Sequence, residues 1–295
     1  MEVMEKNKLQ ERKTVKMLLL ALLIGAAGGV IRGIQLLDFD ERNFPSASGG
    51  IHVVLWCVLA FELIAAAVAW FCLRKKELCG RKGRESVREY LLPKVSMIVF
   101  ALCAAVRLAM SYKPFSAWGI ILGLLCFAIA ASVPVAVSSL GKPSVSDSER
   151  LISLLPVGAM VAVIIELYRS VAKTPAASFY ATDVFAVVVL VLLFFAAAGD
   201  INGKTGAKKL IITAFAFVEI GTTAFLGRVI SVVSALIGGA GASCIITAEF
   251  FEGLLALGGI FFAFAAVSAV GRRGNRILET ETEADAESAS AEETK

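Results

Sequence analysis

MLLLALLIGAAGGVIRGIQLL, residues 17 to 37, carries a single charged residue, Arg32, in a run long enough to cross a lipid bilayer. About 20 predominantly apolar residues in a helix span the roughly 30 Å of hydrocarbon in a membrane. A barrel strand would instead alternate apolar and polar residues over about 10 positions. The stretch therefore predicts a transmembrane helix. The basic arm before it also fits a secretory signal peptide, but the apolar run continues to Leu37, which favours a helix that stays in the membrane.

The rest of the chain has the same character. Of its 295 residues, 58% are hydrophobic and only 18% are charged, and the mean hydropathy is +0.79. A typical soluble domain has about 25% charged residues. The sequence thus predicts an all-α polytopic membrane protein. Its apolar blocks predict eight transmembrane helices, at residues 17–37, 51–73, 95–112, 117–140, 151–169, 182–199, 209–227 and 245–270.

The seventh block is longer than one crossing needs. Its apolar residues continue past Gly227 and Arg228 to Leu236. We expect the crossing to end at Gly227, and the following segment VISVVSALIGG to form an interfacial or re-entrant piece at the outer surface.

Lys and Arg residues in the connections predict the orientation of the helices. Every second connection is basic, and basic connections favour the cytoplasm. The N and C termini are therefore predicted to be cytoplasmic, with a basic arm at 1–16, a helical bundle at 17–270 and a disordered tail at 271–295 that is first basic and then acidic. The formal charge of +4 indicates contact with anionic lipids at the cytoplasmic face rather than with nucleic acid. The short loops suit a bacterial plasma membrane.

The four odd-numbered helices share a pattern. Each begins beside a basic residue and meets one arginine toward its predicted outer end, at Arg32, Arg107, Arg169 and Arg228. The pattern fits four parallel helical-hairpin repeats, a way in which transporters are built. Shared membrane composition is the alternative explanation.

Acidic residues lie at a similar predicted depth. They are Glu166, Asp183, Glu249 and Glu252. Glu166 stands three residues before Arg169, a helical spacing at which the two can pair. Each arginine could also extend to the lipid headgroups. All four lie on the outer side, however, where basic residues are scarce, so we predict that the eight charged residues line a polar vestibule open to the outside.

Two further carboxyl groups fall near the predicted midplane of the membrane, at Glu62 and Glu219. An ionisable residue at that depth indicates a functional site, such as a proton relay, a cation ligand or a substrate contact. The alternative is a protonated glutamate that only bonds a neighbouring helix.

Glycines at four-residue spacing predict close contacts between helices. Gly25, Gly29 and Gly33 have this spacing on the first helix, and Gly119 and Gly123 on the fourth.

Recognisable catalytic chemistry is absent from the sequence. It has one histidine and no paired cysteine motif, which leaves no metal or cofactor site to propose and no catalytic residue to name.

Three functional classes remain. The first is a transporter or channel-like protein for a small polar or amphipathic solute, in which the vestibule binds the solute and Glu62 and Glu219 couple it to protons or cations. The second is a non-catalytic subunit, scaffold or regulatory protein with an unknown protein partner. The third, which the sequence favours least, is a membrane enzyme whose arginines bind a lipid headgroup phosphate.

Overall fold

The described part of the chain is entirely helical. The computed structural model describes residues 2–37, 50–74, 87–112, 116–142, 144–171, 181–204, 206–238, 247 and 250–270. Within these ranges there are eight helices: α1 (Glu2–Leu37), α2 (Gly50–Arg74), α3 (Val87–Tyr112), α4 (Ala117–Leu140), α5 (Asp147–Val171), α6 (Ala181–Ile201), α7 (Ala207–Ile237) and α8 (Phe250–Val270).

Seven of these helices are long and apolar enough to cross a membrane, and the chain is a multi-pass membrane protein. The remaining helix, α2, has a shorter apolar stretch over Val53–Ala69. Large apolar side chains such as Leu23, Phe61 and Phe195 are more than half exposed, as expected for side chains in contact with lipid.

The predicted boundaries hold closely for most helices, and α4 occupies the predicted residues 117–140. The prediction of a helix break at Gly227 is wrong. Helix α7 runs without interruption through Gly227 and Arg228 to Ile237. Gly227 meets a close packing requirement, because a Cβ there would lie 2.5 Å from Cγ of Arg32. Residues Glu2 to Lys16, the predicted arm, continue the first helix, and the tail 271–295 lies outside the described residues.

Side-chain contacts define how the helices run. Gly25, Gly29 and Gly33 face Thr222, Leu226 and Ile230 in the same order, so α1 and α7 are parallel. Gly119 and Gly123 face Ser111 and Leu108, so α3 and α4 are antiparallel. Arg228 contacts Glu252 while Phe217 faces Gly259, so α7 and α8 are also antiparallel. One end of the bundle, which we call the charged end, therefore holds the last turns of α1 and α7 and the first turns of α6 and α8.

Close helix contacts at the predicted glycines are confirmed. A Cβ at Gly29 would lie 2.6 Å from Cβ of Leu226, and a Cβ at Gly123 would lie 2.6 Å from Cγ of Leu108. Since real Cβ atoms do not approach so closely, these contacts need glycine. Helix α1 thus lies against α7 along most of its membrane span.

Substitution of Gly29 by Ala should force α1 and α7 apart. We expect a loss of about 1–3 kcal/mol in the free energy of unfolding, because overpacking displaces neighbouring groups. Gly158 on α5 is the matched control, since a Cβ there meets no atom within 4 Å. Gly158→Ala should be neutral or stabilise the helix by up to about 1 kcal/mol. Denaturation of both purified variants in detergent measures the difference, and equal effects would contradict the packing of α1 on α7.

Candidate functional site

Four charged side chains from four helices meet at the charged end. Nη2 of Arg32 on α1 lies 2.7 Å from Oδ2 of Asp183 on α6. Nη2 of Arg228 on α7 lies 2.9 Å from the same oxygen and 2.6 Å from Oε2 of Glu252 on α8. We call Arg32, Asp183, Arg228 and Glu252 the ion-pair cluster.

The ion-pair cluster is buried. The side chains of Arg32 and Asp183 are 1% and 3% exposed, that of Arg228 is 3% exposed and that of Glu252 is 18% exposed. Two positive and two negative groups cancel formally, and each is held by charge-assisted hydrogen bonds, the arrangement that a buried charge requires. Arg32, Asp183 and Arg228 therefore have almost no exposed side-chain surface.

Two neighbours on the helices position Arg32. Gly227 leaves room for its aliphatic chain at the α1 and α7 interface. Gln35, one turn further along α1, accepts a hydrogen bond from Nη1 of Arg32. The guanidinium group is therefore fixed with its other terminal nitrogen directed at Asp183.

A second ion pair joins α3 and α5. Nη2 of Arg107 donates to Oε1 of Glu166 at 2.9 Å, and the guanidinium carbon lies 5.6 Å from the centre of the Phe251 ring. Phe251 precedes Glu252 in α8, so this pair adjoins the ion-pair cluster without entering it. Sequence spacing allows Glu166 to pair with Arg169, whereas the structure pairs Glu166 with Arg107. Arg169 is exposed on α5.

The eight predicted vestibule residues thus have different positions. Arg32, Asp183, Arg228 and Glu252 converge, and Arg107 and Glu166 form the neighbouring pair. Arg169 faces outward, and Glu249 lies outside the described residues.

A small pocket lies beneath the ion-pair cluster, between α6, α7 and α8. Asp183 and Glu252 line it together with apolar side chains that include Leu190, Phe217 and Leu255. It has room for about a single water molecule, far less than the roughly 300 Å³ of a typical ligand site. A solute-sized cavity at this place would therefore require the helices to separate.

Glu62 and Glu219, which are predicted to lie near the midplane of the membrane, come together at a second buried site. Glu62 on α2 and Glu219 on α7 have no exposed surface. Glu62 is hydrogen bonded to Thr223, which lies one helical turn from Glu219 on the same face of α7. Glu219 lies nine residues before Arg228, about 14 Å along α7 at the helical rise of 1.5 Å per residue. We call Glu62, Glu219 and Thr223 the glutamate site.

The two carboxyl groups differ in their hydrogen bonds. Oε1 of Glu62 is bonded to Oγ1 of Thr223. Both oxygens of Glu219 are buried and have no hydrogen-bond partner within the described ranges. A buried polar group without a partner costs about 1–3 kcal/mol, and more if it is charged. A proton or another ligand bound to the carboxyl group of Glu219 would therefore lower the cost of burying it.

Sequence reasoning missed two residues of these sites, Gln35 and Thr223. Each follows a predicted site residue by one helical turn, Gln35 after Arg32 and Thr223 after Glu219. That spacing is the signal that could have found them, because residues three or four apart share a helix face.

Neither site has the composition of a metal centre. In the part of the chain that the structure describes, no three His, Cys, Asp or Glu side chains group so that they could hold a metal ion. Comparisons of the chain with protein-family models, with curated proteins and with solved structures gave no match. The fold and the two buried polar sites are therefore the basis for a functional conclusion.

Proposed function

We propose that the protein is a secondary transporter that moves a small polar or amphipathic solute across the plasma membrane of a bacterium and couples it to a proton or cation at the glutamate site. The observation that carries the proposal is Glu219, whose carboxyl group is fully buried and has both oxygens without a partner among the described residues. Such a group adds nothing to the stability of a bundle. It has the properties of an intramembrane group that binds an ion during transport.

The ion-pair cluster supports a second part of the proposal. Its four charges lie at one end of the bundle above a pocket that also contains Asp183 and Glu252. A transporter must close its binding region to one side before it opens to the other, and an ion-pair layer across four helices can do this. When the layer opens, Arg32, Asp183, Arg228 and Glu252 become available to charged groups of a solute.

A non-transporting membrane subunit or scaffold is the second candidate function. The observation that favours it is that Asp183 joins two arginines from different helices and so holds α1, α6 and α7 in register. This function explains the cluster but leaves Glu219 without a role. An enzyme acting on lipid headgroups has less support, since Arg32 and Arg228 already bind acidic side chains.

Proton movement in proteoliposomes tests the transporter directly without advance knowledge of the solute. Vesicles with purified protein and an enclosed pH-sensitive dye are mixed in turn with glycine, lysine, glutamate, choline and ethidium. Transport coupled to protons changes the internal pH after addition of at least one compound, whereas protein-free vesicles do not respond. The same panel is run with and without a sodium gradient to detect coupling to a cation. Internal pH and solute content that match those of empty vesicles for every compound would contradict the proposal.

A further inference from the structure

The hydroxyl group of Thr223 has two acceptors and one hydrogen. Its Oγ1 lies 3.1 Å from the carbonyl oxygen of Gly25 on α1, and it is also hydrogen bonded to Oε1 of Glu62 on α2. A threonine hydroxyl can donate only one hydrogen bond, although its oxygen can accept two. With an ionised Glu62, one of the two contacts is therefore an oxygen facing an oxygen with no hydrogen between them.

A proton on Glu62 resolves this conflict. The carboxyl O–H then donates to Oγ1 of Thr223, and the Thr223 O–H donates to the carbonyl oxygen of Gly25. Both observed contacts become hydrogen bonds in one chain that runs from α2 through α7 to α1. Oε2 of Glu62, which is buried without a partner in the described ranges, is then a neutral carbonyl oxygen, which costs much less to bury than a carboxylate oxygen.

No basic side chain of the described residues pairs with Glu62 to favour its ionised form. Helix α7 presents the carboxyl group of Glu219 and the hydroxyl of Thr223. Helix α1 presents Gly25 and Gly28, and its nearest described charged side chain toward the charged end, Arg32, is bound to Asp183. A metal cation in place of the proton would have to separate Glu62 from Thr223, and the space is narrow. A Cβ at Gly28 would lie 2.8 Å from Oε1 of Glu62 and 2.6 Å from Oγ1 of Thr223.

Helix α2 contacts the bundle through one face. It packs on α1 and α7 through one face, where Leu55, Leu59 and Glu62 are buried, while Phe61 and Ile64 on the other side are 57% and 61% exposed. The Glu62 to Thr223 hydrogen bond is a polar connection on that face. Loss of the proton would break one bond of the chain and leave a negative charge between the helices.

We propose that Glu62 and Thr223 form a proton-binding site, and that binding of the proton docks α2 onto α1 and α7. This proton site rests on the proposed function in one respect only, namely that proton binding drives solute movement. Glu62 accepts the proton, Thr223 positions it, and the backbone carbonyl of Gly25 ends the chain. Release of the proton frees α2 to move away from the α1 and α7 pair.

Carbodiimide labelling tests the site in the full-length protein. Dicyclohexylcarbodiimide reacts with protonated carboxyl groups in apolar surroundings, and mass spectrometry of the labelled protein locates the modified residue. We expect modification of Glu62 at acidic pH, with about a tenfold decrease per pH unit once the group ionises. Sodium chloride and potassium chloride at equal concentration should give equal labelling. Infrared spectroscopy gives a second readout that does not depend on access of a reagent to the site. We expect a carbonyl band of the protonated carboxyl group in the wild-type protein and its loss in Glu62→Gln.

Thr223 has a matched control in its neighbour. Thr222 is buried as well, but its hydroxyl donates to Val218 within its own helix at 2.6 Å. We expect Thr223→Val to reduce Glu62 labelling at neutral pH about tenfold, Thr223→Ser to restore it and Thr222→Val to leave it unchanged. The inference is overturned if Glu62 gives neither labelling nor a carbonyl band at any pH, if sodium alone protects it, or if Thr223→Val leaves labelling equal or increases it.

The two proposals fail separately. A protonated Glu62 with no solute-driven pH change would retain the proton site and reject transport. A solute-driven pH change with Glu62 ionised throughout would retain transport and reject this site.

Discussion

Replacement of Asp183 by Asn should lower the free energy of unfolding by about 3–5 kcal/mol, the usual effect of removing one partner from a buried ion pair. Asp183 accepts hydrogen bonds from both Arg32 and Arg228, and its side chain is 3% exposed. Without the carboxylate, Arg32 keeps its charge in a buried position and loses the acid that it contacts directly. Thermal denaturation of the purified protein in detergent, together with the folded yield, measures the loss.

Two further variants determine whether charge burial is the cause. Asp147→Asn changes the same residue type in an exposed ion pair. Asp147 pairs with Arg150, and its side chain is 98% exposed. Exposed pairs contribute at most about 1 kcal/mol, so this change should have almost no effect. The double variant Arg32→Met with Asp183→Leu removes both charges and puts apolar side chains in their place, and it should be more stable than Asp183→Asn. A double variant less stable than the single one would show that the charges are not the cause.

Replacement of Glu219 by Leu should have the opposite effect on stability and should abolish coupled transport. Both carboxyl oxygens of Glu219 are buried without a partner among the described residues, so an apolar side chain of similar size removes an unmet hydrogen-bonding need. We expect the free energy of unfolding to rise by about 1–3 kcal/mol. Groups kept at a cost in stability are typical of functional sites. Thermal denaturation in detergent measures the first effect and proteoliposome assays the second.

Glu252→Leu is the matched control for this opposite sign. It makes the same substitution at a half-buried carboxyl group, but Glu252 accepts a hydrogen bond from Arg228 at 2.6 Å. Its loss leaves Arg228 with less negative charge around it, so Glu252→Leu should destabilise the protein. If Glu219→Leu destabilises it to a similar extent, Glu219 is a structural residue and has no claim to the proposed role.

The helices were largely predictable because the membrane dictates their length. Apolar runs of about 20 residues leave few alternatives for where a helix can cross. The end of α7 was not predictable, since Gly227 and Arg228 read as a break when the sequence is taken alone. In the structure, Gly227 accommodates Arg32, and Arg228 binds Asp183 and Glu252. The residues that suggested an end are thus explained by partners on other helices.

The charged residues at one end were predictable as a group but not as pairs. Their positions along each helix placed them at one depth, because each helix residue advances about 1.5 Å. Which of them meet depends on helix packing, and spacing alone paired Glu166 with Arg169 instead of Arg107. Thr223 was missed for the same reason. Its spacing from Glu219 indicates only that the two share a face of α7, whereas its bond to Glu62 depends on the packing of α2 against α7.

Solute-driven proton movement in vesicles that contain Glu219→Gln tests the central claim most directly. Glutamine keeps the size of the side chain, but its amide group does not ionise at the pH of the assay and so cannot bind and release a transported proton. Wild-type protein and Glu219→Gln are reconstituted at equal density, and the internal pH is followed after addition of each compound that the wild-type protein transports. We expect a pH change with wild-type protein and none with Glu219→Gln, although the variant is folded. An equal pH change in both would contradict it, because the proton would then cross without Glu219.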